Sequence, residues 1–209
     1  MRQRHDLLAA AARLAGGRRV GQNPPGLPGL PGASQRHRLE PSLVGQRVLS
    51  GKKGGEKTGP NPTDRGKKGS KRHILVDANG IPLACALTAA NVHDSVMLEP
   101  LVDAVRPIRQ CRGRPRKRPA KLHADKGYDF PRCRRALRRR GIGDRIARRG
   151  IESSDHLGRH RWVVERTLAW LAEFRRLAVR YEWRADIHQA FLTLACIMVC
   201  WKFIQRWFC

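Results

Sequence analysis

"LHADKGYDFPRCRRALRRRGIGDRIA", residues 122 to 147, fits a strand, a helix and a second strand into 26 residues. "LHAD" is a short apolar run. "FPRCRRALRRRG" has Pro131 near its start and Gly141 just past its end, the positions at which a helix favours each residue. "IGDRIA" reads as another short strand. Asp125 closes the first strand and is followed by Lys126, Gly127 and Tyr128. Asp-Lys-Gly alone is a turn sequence. A carboxylate at a strand end also stands where open α/β sheets place their chemistry, so both readings are open at this point.

Upstream, "HILV" (73–76) and "IPLACALT" (81–88) are apolar, β-rich runs joined by "DANG" (77–80). An Asn-Gly pair between two such runs signals a β-hairpin. "HDSVMLEPLVDAV" (93–105) predicts a helix capped by Asp94 or Ser95 and kinked or restarted at Pro100. Downstream, two long helices are expected over about 159–179 and 185–207. The order hairpin, helix, strand, helix, strand, helix, helix is that of an α/β domain, a mixed sheet with packed helices.

The remaining stretches lack such periods. Residues 17–41 are rich in Gly and Pro and predict a disordered arm. Residues 51–72, "GKKGGEKTGPNPTDRGKKGSKR", read as a flexible loop, either wrapped around phosphates or simply solvated. Residues 106–121 carry eight Arg or Lys and no acid, a basic loop.

Lys and Arg number 43 against 17 Asp and Glu, a net charge of +26. Such a chain seeks a polyanion, and because the charge is spread along its length the partner expected is nucleic acid and not a membrane. A ribosomal or RNA-associated protein is a second class with this charge, but such chains rarely carry two Trp-rich C-terminal helices. The six cysteines form no CxxC pair and no zinc-type spacing with histidine, so they read as reduced intracellular thiols. "AFLTLACIMVCWKFIQRWF" (190–208) is broken by Lys202, Gln205 and Arg206, short of the roughly 18 to 20 uninterrupted residues that cross a bilayer, and predicts a buried helix. The N-terminal "MRQRHDLLAAAARLAGGRR" only faintly resembles a targeting signal, since Arg18 and Arg19 stand where a cleavage region would be.

On a wheel of about 100° per residue, Val163, Trp170, Phe174, Leu177 and Ala178 form a core-facing stripe, and Glu165 lies off it. Arg161 is one turn earlier, and Ala169 and Ala172 leave room beside the carboxylate. A solvated Glu with an Arg four residues before it is an ordinary surface pair. Together with Asp125 and the extreme positive charge, it also suggests a metal site acting on phosphodiesters, because Mg²⁺ prefers hard oxygen ligands.

Three stretches, "KKGGEKTGPNPTDRGKKGSKRHILVDANGIPLACALTAANVHDS" (52–95), "LHADKGYD" (122–129) and "RWVVERTLAWLAEFRRLAVRYEWRADIHQAFLTLACIMVCW" (161–201), resemble in this order the insertion-sequence transposases with a DDE catalytic core, in particular the insertion-sequence-five group. The resemblance implies a ribonuclease-H-like fold and cleavage and transfer of DNA strands with Mg²⁺ or Mn²⁺. It makes Asp125 the second acid of the triad and Glu165 the third, both metal ligands. It gives Arg161 a contact to DNA phosphate and places Lys67, Lys68, Lys71 and Lys126 at the DNA. It further implies transposon ends and target DNA as partners, a homodimer on that DNA, no membrane, and a bacterial cytoplasmic, nucleoid-associated location.

The chain departs from the pattern at Gly158, where a tyrosine is expected, and at Ala172, where a lysine is expected. The larger departure is the first acid: counting back from Lys53 reaches Gly45. Residues 17–50 resemble no transposase and have the composition of a GC-rich gene read out of frame. The division expected is therefore an irregular arm over 1–50 and a catalytic domain over 51–209, in a truncated or frame-shifted element. Asp64, Asp77 and Asp94 are the substitutes available for the missing acid. Two functions follow: a transposase that cuts and joins DNA, or a catalytically dead remnant that still binds it.

Overall fold

The computed structural model describes residues 42–108, 114–150 and 154–208, without the side chains of 154–160 and 206–208. Residues 1–41 of the arm predicted over 1–50, with Cys111 and Cys209, lie outside the described residues. Strands are β1 Ser42–Ser50, β2 Gly59–Pro60, β3 Lys68–Val76, β4 Pro82–Ala89, β5 Lys121–Ala124 and β6 Gly143–Ile146. Helices are α1 Leu98–Ala104, α2 Pro131–Arg139, α3 Ser154–Glu173, α4 Arg175–Ala178 and α5 Ala185–Phe208.

The main sheet runs β4-β3-β1-β5-β6, with β2 paired to the start of β3. β3 is antiparallel to β1 and β4, whereas β1, β5 and β6 are mutually parallel. This is the ribonuclease-H-like mixed sheet that the resemblance implied. Side chains alternate across it. Val44, Leu75 and Leu122 face α1 and α2, while Leu43, Ile74 and Val76 face α3 and α5, so the central strands are covered on both sides.

Residues 42–50, assigned by the sequence to the irregular arm, are instead the central strand. "SLVGQRVLS" hides its period because Leu43 and Val44 are buried on opposite faces while Gln46 and Arg47 interrupt the run. Only the partners on either side reveal it: Leu43 pairs with Val76 in β3 and with His123 in β5.

The loop expected over 51–72 is likewise held in place, since β3 begins at Lys68. Gly55, at φ +103°, passes so close to the carbonyl of Trp183 that a Cβ there would lie 2.3 Å from its oxygen, and Glu56 N–H donates to the same oxygen. Arg180 completes the joint, donating to Lys57 O, Thr58 Oγ1, Ser70 Oγ, Glu182 O and Trp183 O. The hairpin forms where expected, with Asp77 Oδ1 accepting from Asn79 and Ile81 N–H and Gly80 at φ +89°. Its tip is fixed to α3 by Thr167, whose hydroxyl donates to Gly80 O.

Two helix expectations need correction. The cap before α1 is His93, whose ring nitrogen accepts from Ser95 N–H ahead of a 3₁₀ turn at Asp94–Met97; Pro100 then falls in the first turn of α1, where no amide is needed. The single helix expected over 159–179 is two, α3 and α4, separated by an extended Phe174. The buried Arg72 guanidinium donates to the carbonyls of Leu168, Leu171 and Leu177 around that break. Among the described residues α3 buries Val163, Val164, Thr167, Leu168 and Leu171, while Trp170 and, just past the helix end, Phe174 are only partly covered.

Candidate active site

Asp125 follows the last residue of β5 and opens the turn that Asp-Lys-Gly suggested. Its Oδ1 accepts from Lys126 N–H and its carbonyl from Tyr128 N–H, opening a 3₁₀ turn over Lys126–Tyr128. The turn leaves the other carboxylate oxygen facing α3. Leu122 and Ala124 are buried towards α1 and α2, so alternation sends His123 and Asp125 to the α3 face.

Glu165 stands on α3 with Arg161 one turn before it. Arg161 Nη2 lies 3.6 Å from Asp125 Oδ2 and 3.3 Å from Glu165 Oε1. Two oxygens approached by one nitrogen at those distances are no more than about 7 Å apart. The structure thus brings Asp125, Arg161 and Glu165 together. All three are substantially exposed, so the pairing adds little to stability.

The parallel register identifies the missing neighbour. Ser42 pairs with Leu122 and Leu43 with His123, and two further steps place Asp125 level with Gly45. Gly45 is the position at which the sequence pattern wanted an acid. A Cβ on Gly45 would point at α3, 2.6 Å from Val164 Cγ2, 3.1 Å from Val164 Cγ1 and 3.3 Å from Leu168 Cδ1. The helix that carries Glu165 therefore occupies the space an acidic side chain would need.

Beside this point lies a cleft of about 450 Å³, bounded by Asp125, Arg161, Val164 and the arginines at 134, 138, 145 and 148. Arg134 is committed to Asp129, Asp144 and the Ile146 carbonyl. Burial would raise the Asp144 carboxyl, but the hydrogen bond from Arg134 holds it below the usual range. Arg145 and Arg148 reach solvent at the rim.

The transposase DDE domain family model matches residues 35–200. The chain belongs to the transposase DDE domain family. A Burkholderia cepacia protein assigned as the transposase for insertion sequence element IS402 is 52% identical over 206 residues, which cover 99% of this chain and 98% of that protein. Both matches extend upstream of residue 51, so the segment set outside the family carries family sequence from residue 35 onward. Among solved structures, the catalytic core domain of BIV integrase overlays at a TM-score of 0.42 with 14% identity, covering 76% of this chain and 82% of that one. A simian T-cell lymphotropic virus intasome in complex with PP2A regulatory subunit B56 gamma overlays at 0.38 with 12% identity, over 76% and 48%. Overlays this loose add nothing to the topology described above.

The family's divalent-metal chemistry meets an incomplete donor set in this transposase. Asp125 and Glu165 supply two carboxylates, but a guanidinium stands between them and Val164 abuts Gly45. Among the described residues, no three of Asp, Glu, His and Cys are grouped to hold an ion. The substitute acids each have another partner, although Asp94 lies beside the turn after Asp125, its Oδ2 3.6 Å from where a Cβ on Gly127 would stand. Asp64 pairs with Lys67, Asp77 anchors the hairpin, and Asp94 pairs with Lys71 at 2.9 Å. As arranged, the residues do not fit a two-metal centre.

The lysines expected at DNA separate into two kinds. Lys67 and Lys68 are exposed at the start of antiparallel β3, the same end of the sheet as the C-terminal end of β1. Lys71 is tied inward, its ammonium donating to Val92 O and Asp94 Oδ1. Lys126 is half-buried in the turn after Asp125. Arg145 and Arg148 belong to the Arg-rich stretch 132–149, which the sequence marks for phosphate contact, whereas nothing in the sequence singles out Val164: the apolar pair at 163–164 is visible, but which of the two faces β1 depends on the packing of α3. Gly158, which replaces the expected tyrosine, falls within α3.

Proposed function

We propose that this transposase chain binds DNA through the arginine-lined cleft and the Lys67–Lys68 edge, with two copies pairing two DNA ends, and does not cut DNA as it stands. In this reading Arg161 contacts a phosphate beside the cleft, and Asp125 and Glu165 retain the family's second and third acidic positions. The observation that carries it is Gly45: level with Asp125, pointing at α3, with Val164 in the space of an acid. Losing one ligand of three misplaces metal ions by more than the about 0.5 Å that such chemistry tolerates.

The test uses the purified chain with DNA carrying the element's ends, in Mg²⁺ and in Mn²⁺. The expected result is binding that weakens steeply with salt and no nicking or joining. Metal-dependent cleavage that disappears on Asp125→Ala would overturn the non-cutting reading. Its further loss on Asp64→Ala would identify that loop acid as the third ligand.

A further inference from the structure

We propose that the exposed face of α5 is the seam by which two copies of this chain associate, as an antiparallel helix pair. The inference rests on the paired-copy reading above and identifies its surface. α5 has two apolar faces. Leu192, Ala195, Cys196 and Val199 pack into the core against the sheet and α3. The other face carries Ile187, Ala190, Leu194, Ile197, Trp201 and Ile204, all exposed, with Leu194 at 56%, Ile197 at 55% and Trp201 at 52%.

Their spacing is three, four, three, four, three residues, the 3.5-residue repeat that keeps an apolar seam facing a partner helix. The seam is also matched in size to itself. In an antiparallel pair centred between Leu194 and Ile197, Ile187 faces Ile204, Leu194 faces Ile197, and the small Ala190 faces the large Trp201. A parallel pair would set Trp201 against Trp201 and leave a void at Ala190, so interdigitation favours the antiparallel arrangement. With the adjacent exposed Met198, the face offers roughly 600 Å² per protomer and about 1,200 Å² per pair, where specific interfaces begin.

Charge distinguishes a second copy from the other occupants. No Asp, Glu, Lys or Arg occurs from Ile187 to Trp201 in a chain with 43 Lys and Arg. Over that span DNA would find no cation, the first being Lys202 at the end of the seam, whereas two chains of +26 can meet here with Lys202 level with the uncharged Gln189 of the other copy. Ala185–Gln205 is apolar enough by length and composition to cross a membrane, with mean hydropathy 1.6. Its inner face is nevertheless engaged by the domain's own core, which leaves a stripe and not a full circumference for an outside partner.

Sedimentation equilibrium of the full chain, freed of nucleic acid in high salt, tests the seam. The wild type should be dimeric at micromolar concentration. Leu194→Glu and Ile197→Lys should each be monomeric with unchanged helical circular dichroism, and the double variant should dimerise again, because residue 194 of one copy faces residue 197 of the other. Ala190→Trp adds no charge, so it keeps the test open if a charged variant fails to fold; it should weaken association about tenfold or more by overfilling the site opposite Trp201. Single variants that remain dimeric would overturn the seam while leaving paired copies intact. A wild type that stays monomeric even on a two-ended DNA would overturn the pairing itself. Wild-type binding to phosphatidylglycerol vesicles in place of self-association would assign the face to lipid and overturn the proposal.

Discussion

Arg180 is 1% exposed and ends on three backbone carbonyls and two hydroxyls drawn from the 57–70 segment and from its own turn. Arg161, nineteen residues earlier, stands at the surface with its guanidinium shared between two carboxylates. Burial lowers the Arg180 pKa from its usual range, but fixed carbonyls stabilise the cation, and removing it would take a donor from each of those acceptors at once. Arg161 meets flexible, solvated side chains, and a phosphate could replace either of them at little cost. The fold therefore fixes one arginine as a joint and leaves the other available to a ligand.

Breaking the joint should have the largest effect. Arg180→Met is expected to destabilise the chain by about 3 kcal/mol or more in urea unfolding, because several buried acceptors lose their donor at once. A loss below about 1 kcal/mol would mean that the 51–60 segment is not held by this residue.

The interior holds a second buried group whose effect appears with pH. His73 donates or accepts at Thr88 Oγ1, 2.8 Å away, and burial lowers its pKa from 6.5 to about 4. The folded state therefore resists protonation. Its stability is complete above pH 6.5 and falls as the pH drops from 6.5 towards 4, by about 3 kcal/mol from this group. Burial likewise depresses His188, which adds in the same direction. Unfolding titrations across that window should show the slope, and His73→Gln should flatten it; parallel curves would refute the assignment.

Gly45 lies on the border between interior and site, and its substitution sharpens the comparison. Gly45→Asp should cost about 1 to 3 kcal/mol, since the new Cβ meets Val164. Val164→Ala in the same chain should recover part of it, so a double-mutant cycle should give a coupling of about 1 kcal/mol. Additive effects would show that α3 does not press on β1 at this point.

The smallest effect on stability belongs to Arg161. Arg161→Ala should leave the unfolding midpoint within about 0.5 kcal/mol of wild type. Its DNA affinity should fall and the slope of log affinity against log salt should shrink by about one. Unchanged binding would remove Arg161 from the interface.

The elements that were legible in the sequence are those whose signals are local. "DANG" specified the hairpin because Asn-Gly suits a tight reversal within four residues, and "LHAD" with its following Gly set a carboxylate at a strand end. The bounds of α5 and the strand–helix–strand order over 121–146 came from periodicity and from Pro131 and Gly141. Asp125, Arg161 and Glu165 were named from residue type and spacing, and packing brought them together. A segment with no strand signal of its own was not legible: Ser42–Ser50 lacks clean alternation and carries Gly45 at its middle, and its identity as a strand comes from β3 and β5 on either side.

By itself, the sequence determined the α/β order, the basic charge and the absence of an acid at position 45, since each is a property of residue type over short distances. Only the tertiary structure decided that β1 is central, that Arg72 sits at the break between α3 and α4, and that Gly45 faces Val164. It also decided that α5 buries one apolar face and exposes the other. The physical reason is separation along the chain: these relations join residues scores of positions apart, where hydrogen-bond register and side-chain volume, and not local preference, set which groups meet.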